Sequence, residues 1–120
     1  MADTDELAGP ERLSVSSALI DGITVVTVRG EIDHHTADPL RQALTPPDGA
    51  AGPRTVADLS GVTFMDSSGI NALIAAYQAH GEGGRLRLAG IRPPVLRVLQ
   101  LVGVDALIPC YPTARQALDA

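Results

Sequence analysis

Asp66-Ser67-Ser68-Gly69 sets one carboxylate and two hydroxyls where a strand and a turn hand the chain to a helix. The unpaired N–H groups and the dipole of a helix N-terminus favour negative charge there. Either Asp66 or Ser67 can therefore cap the helix, and the fold would tolerate a phosphate ester on Ser67. Such a phosphate adds about two negative charges beside Asp66, so a partner docking over the turn would meet repulsion and a dianion to desolvate. The same four residues also read as a plain N-cap cluster. Covalent catalysis by Ser67 is a third reading, but the G-x-S-x-G elbow is absent and His34, His35 and His80 show no triad arrangement. No catalytic residue is expected.

A second polar cluster, Gly30-Glu31-Ile32-Asp33-His34-His35-Thr36, places two carboxylates and two imidazoles between a strand and a helix. Adjacent histidines do not point at one ion, so no metal site is expected. Asp33 and Thr36 suit the turn and the helix cap instead.

Both clusters need elements to hold them. Leu13 to Ile20 and Ile23 to Arg29 read as strands, and Asp21-Gly22 between them is a tight-hairpin dipeptide. A short helix follows over ADPLRQAL, with Thr36 as cap, Asp38 and Pro39 in its first turn and Leu40, Ala43 and Leu44 as an apolar stripe. The Pro- and Gly-rich stretch from Thr45 to Pro53 reads as an exposed loop. Thr55 to Leu59 is a short strand, ended by Ser60-Gly61. Beyond DSSG, Ile70, Leu73, Ile74 and Tyr77 fall at i, i+3, i+4 and i+7 of a helix that stops at Gly81 to Gly84. Arg85 to Ala89 is a strand. Pro93 and Pro94 open a helix with Val95, Val98, Leu99 and Val102 on one face, ended by Gly103. Leu107 to Tyr111 is a last strand, and Pro112 leads into a terminal helix. The order ββαβαβαβα predicts an α/β fold, one mixed β-sheet with helices packed on it and right-handed crossovers.

Composition narrows the function. A chain of 120 residues with 45% hydrophobic residues supports one domain, built on Leu, Ile, Val and Ala because aromatics are only 2%. That domain is expected over residues 13–120, after a frayed tail over residues 1–12. A net charge of -5, with nine scattered cations, argues against direct nucleic-acid binding and for a protein partner. The lone Cys110 excludes an internal disulfide and is expected to pack. No apolar run approaches the roughly 18 residues of a membrane span, and the start MADTDELAGPER lacks signal-peptide regions, so a cytoplasmic protein without membrane contact is expected. Without coiled-coil heptads, a monomer is expected.

GEIDHHTADPL and DLSGVTFMDSSGI together resemble the signatures of STAS-domain anti-sigma factor antagonists of the bacterial sporulation and general-stress type. The resemblance runs from about Leu13 to Ala120 and takes in GEGGRLRLAG and LVGVDALI. It implies a single STAS-like domain in which Ser67 is phosphorylated by an anti-sigma factor that is also a serine kinase. The unphosphorylated form would bind that kinase, release a sigma factor and permit transcription, and a serine phosphatase would restore the binding form. ATP belongs to the kinase, so no cofactor is implied here. By the same resemblance, Asp33, Asp66, Ser68 and Gly69 surround the phosphorylation site and take part in kinase binding. One departure stands out: where the family commonly continues Ser-Gly-Leu-Gly, this chain has Gly69-Ile70-Asn71, which bears on partner choice. Two other readings stay open, a STAS scaffold or sensor module without phosphorylation and a small serine-nucleophile enzyme.

Overall fold

The computed structural model of the chain describes residues 13–46, 54–81 and 85–120. The expected N-terminal tail, most of the Pro- and Gly-rich loop and the glycines after Gly81 lie outside them. Five strands, β1 (Leu13–Ile20), β2 (Ile23–Ile32), β3 (Thr55–Met65), β4 (Leu86–Ala89) and β5 (Cys110–Tyr111), form one sheet in that order. β1 runs antiparallel to β2 and all other neighbours are parallel. The helices are α1 (Ala37–Leu44), α2 (Ser67–His80), α3 (Pro93–Leu101), α4 (Val104–Leu107) and α5 (Ala114–Asp119).

The first hairpin forms as its residues dictate. Asp21 and Gly22 both take positive φ, 52° and 80°, the pair of left-handed conformations a two-residue turn between right-twisted strands requires. Alternation then divides the sheet into two buried faces. Val26, Val28, Ile32, Ala57, Leu59, Leu86 and Leu88 face Leu40, Leu44, Leu73, Leu99 and Val104 of the first four helices. Val25, Val56 and Ala89 face Ala117 of α5 on the other side. The buried Arg87 belongs to this second face: its Nη1 donates to the carbonyls of Ala117 and Ala120 at 2.7 and 2.9 Å, satisfying acceptors at the C-terminus of α5. Cys110 packs as expected. It is half-buried against the main core, and burial, with Asp105 nearby, pushes its thiol up to about 11.

The α/β class with a mixed sheet is as expected, but three local readings need correction. β2 does not stop at Arg29 but runs on to Ile32. β3 does not end at Leu59; it passes through Ser60-Gly61 as one strand of 11 residues. Two register shifts against β2 absorb the irregularity, and Asp58 Oδ1 accepts the Ser60 N–H at 3.0 Å within the first of them. Finally, Leu107 closes the one-turn helix α4, so the last strand keeps only Cys110 and Tyr111 and the order becomes ββαβαβααβα.

Candidate functional site

The extension of β2 and β3 brings the two polar clusters together. Ile32 and Met65 are register partners at the carboxyl ends of two parallel strands, so the turns that follow emerge side by side. The Asp66 N–H donates to the Ile32 carbonyl at 3.1 Å and ties one turn to the other. Chain reversals at the carboxyl ends of parallel strands are where open α/β sheets present functional groups.

In the first turn the buried Thr36 is at the N-cap position of α1, yet its side chain caps no helical N–H. Its hydroxyl instead accepts from the Asp33 N–H and donates to the Glu31 carbonyl, both at 2.9 Å, which fastens the turn to the strand. Asp33 Oδ1 accepts the His35 N–H at 2.8 Å. That hydrogen bond above all, opposed by burial and helped by Thr36 and the two histidines, holds the Asp33 carboxyl below its usual 3.8. Both histidines are exposed, with ring centroids 3.9 Å apart. A folded-state pKa below the unfolded one means that ionised Asp33 favours the folded state above the unfolded value and loses that contribution as pH falls through the folded value. In an NMR titration, the Asp33 carboxyl should therefore show a midpoint below 3.8. Asp33→Asn should flatten the dependence of stability on pH in that acid range.

In the second turn the choice between Asp66 and Ser67 as cap is resolved. Asp66 is the N-cap of α2, and its Oδ1 accepts from the Ser68 and Gly69 N–H groups at 2.8 and 3.4 Å. Asp66→Ala should cost about 1 kcal/mol in a chemical melt and Asp66→Asn much less, because the amide oxygen still accepts. Ser67 is the first helical residue and is exposed. Among the described residues its hydroxyl makes no hydrogen bond. Ser68 is half-buried and lines a shallow groove of about 260 Å³ between α1 and α2, together with Asp38, Arg41 and the exposed Asn71. Gly69 is the buried member of the set. A Cβ there would lie 2.6 Å from Met65 Cγ and 2.7 Å from Ile32 Cγ2, so only glycine lets the first turn of α2 sit this low on the strand ends.

The arrangement thus brings Asp33, Asp66, Ser67 and Ser68 to one end of the sheet with Gly69 beneath them. Sequence reasoning passed over Phe64, the chain's one phenylalanine. It is 49% exposed beside the turn, as the register partner of Glu31. An exposed aromatic immediately before a motif is a signal that could have marked it. Among the described residues no three His, Cys, Asp or Glu side chains converge as metal ligands, and no helix is long and apolar enough to cross a membrane.

Comparison with known proteins agrees with this frame. The family model for the STAS domain matches residues 14–117. The anti-sigma F factor antagonist of Paenibacillus polymyxa is 33% identical over 102 residues, covering 81% of this chain and 85% of that one. The anti-sigma-F factor antagonist RsfB of Mycobacterium tuberculosis is 28% identical over 112 residues, covering 93% and 92%. The crystal structure of an anti-sigma factor antagonist from Mycobacterium paratuberculosis superposes with a TM-score of 0.81 at 36% identity, covering 92% of this chain and 95% of that one.

Proposed function

Because the chain belongs to the STAS domain family, we propose that it is an anti-sigma factor antagonist, a cytoplasmic binding module without catalysis of its own, switched by phosphorylation of Ser67. Unphosphorylated, it binds an anti-sigma factor with serine kinase activity through the surface around Asp33, Asp66, Ser67 and Ser68, and a sigma factor is released. The kinase, using its own ATP, then esterifies Ser67 and ends the interaction. A serine phosphatase removes the phosphate and restores binding.

The observation that carries this reading is the state of the Ser67 hydroxyl. It is exposed and unengaged among the described residues, while Asp66 alone supplies the side-chain cap. Adding a phosphate breaks no interaction of the fold. The new charge also sits at the N-terminus of a 14-residue helix, where backbone N–H groups and the dipole favour it. The switch therefore acts on the outer surface, and only the partner experiences it.

The test is incubation with anti-sigma factor kinases and Mg-ATP, followed by intact-mass spectrometry of the native chain, Ser67→Ala and Ser68→Ala. One phosphate on the native chain and on Ser68→Ala, absent from Ser67→Ala, is the expected result. Phosphate that persists in Ser67→Ala would move the site elsewhere. Binding with no phosphate transfer from any kinase would make the chain a constitutive STAS scaffold.

A further inference from the structure

β1 is an open edge of the sheet: all eight of its residues pair with β2, and among the described residues no strand lies on its other side. Exposed edges are usually protected by charge, proline, a bulge or shortness. β1, with the sequence LSVSSALI, has none of these. The opposite edge, β5, is only two residues long. Seven of the eight β1 residues are exposed, among them Val15, Leu19 and Ile20 at 37, 70 and 42%.

The hairpin geometry decides which backbone groups are open. Its two-residue turn is closed by the pair Ile20–Ile23, so the N–H and C=O groups of Ile20, Ala18, Ser16 and Ser14 point towards β2. Those of Leu13, Val15, Ser17 and Leu19 point outward. Val15 pairs with Val28 and Ser17 with Val26, so these odd-numbered side chains lie on the face that carries α1 to α4.

We propose that this edge takes a second copy of the same chain, in an antiparallel β1–β1 pairing with Ser17 on the two-fold axis, to give a continuous ten-stranded sheet. The strand is self-complementary about Ser17. In that register Val15 of each copy faces Leu19 of the other on the helical face, and Ser16 faces Ala18 on the opposite face, with no charge brought against charge. All outward N–H and C=O groups from Val15 to Leu19 find partners, the isologous arrangement a two-fold dimer requires. None of the chain's 14 acidic residues lies in β1, so the net charge of -5 repels only at a distance. The paired edge is about 24 Å long and thin. A single thin edge offers few side-chain contacts beside its backbone hydrogen bonds, so the dimer is reversible, with an expected dissociation constant on the order of 10–100 µM. The site at the carboxyl ends of β2 and β3 stays open in both copies.

Sedimentation of the full chain from about 10 µM to about 1 mM should show monomer converting to dimer across the expected dissociation constant. Over the same range, NMR amide exchange should slow at Val15, Ser17 and Leu19, the outward-facing amides. Ser17→Lys sets two ammonium groups face to face on the axis and should leave a folded monomer. Leu101→Lys, which places the same charge on α3 at a position that is 79% exposed and away from β1, should still dimerise. A native chain that stays monomeric throughout would overturn the proposal. So would a dimer that survives in folded Ser17→Lys or dissolves in Leu101→Lys, or concentration-dependent protection elsewhere than in β1.

Discussion

Phosphorylation of Ser67 is expected to weaken binding to the anti-sigma factor about 100- to 1000-fold, a loss of about 3–4 kcal/mol, with little change in the stability of the free protein. The two halves of that expectation come from the same geometry. A dianion on an exposed side chain at a helix N-terminus is solvated and favoured by the dipole when the protein is free. In a complex it loses that water and lies beside the Asp66 carboxylate, which is already committed to the Ser68 and Gly69 N–H groups and cannot turn away without uncapping α2. Ser67→Asp carries one charge on a shorter arm and should weaken binding by only about 10-fold. Calorimetric titration of native, phosphorylated and Ser67→Asp protein against the kinase, with thermal melts of each, checks both halves. Equal affinities for native and phosphorylated chains would refute the switch. A large drop in the melting temperature on phosphorylation would relocate the effect from the interface to the fold.

The turns themselves were legible because their signals are local. Asp-Ser-Ser before an apolar 3.6-residue period marks a capped helix start, and Asp-Gly between two alternating runs marks a hairpin. That the Asp33 and Asp66 turns share one surface was legible only through the family resemblance, not from any local signal, since it depends on the parallel pairing of Ile32 with Met65, residues far apart in the chain. The same pairing explains the misread end of β3. Ser60-Gly61 is a good turn dipeptide, but the strand is held between β2 and β4 and continues beyond it along β2, so the ladder absorbs the irregular residues as register shifts. Thr36 was assigned its helix-cap position correctly and its hydrogen bond wrongly, because a strand carbonyl and a turn N–H engage its hydroxyl instead. Leu107 fell to a short-range effect: Gly103 in a left-handed conformation starts a new helical turn where an apolar run suggested a strand.

The height at which α2 sits on the sheet, and with it the presentation of Ser67, depends on one tight contact that a double-mutant cycle can measure. Ile32 is fully buried at the end of β2, and Ile32→Ala should cost about 3 kcal/mol through lost burial and a residual cavity. Gly69→Ala adds a methyl group where Met65 Cγ and Ile32 Cγ2 would stand at 2.6 and 2.7 Å. Its overpacking costs about 1–3 kcal/mol, offset by up to about 1 kcal/mol of helix propensity. Met65 is flexible and can yield, whereas the branched Ile32 cannot rotate Cγ2 away without leaving its rotamer. In the double variant the new methyl occupies the space that Cγ2 vacated, so the combined loss should be smaller than the sum of the two by about 1 kcal/mol. Urea melts of the four proteins give that coupling directly. Strict additivity would mean that α2 shifts to relieve Gly69→Ala. The single variant should then bind the anti-sigma factor more weakly even without phosphate, because Ser67 and its cap would have moved with the helix.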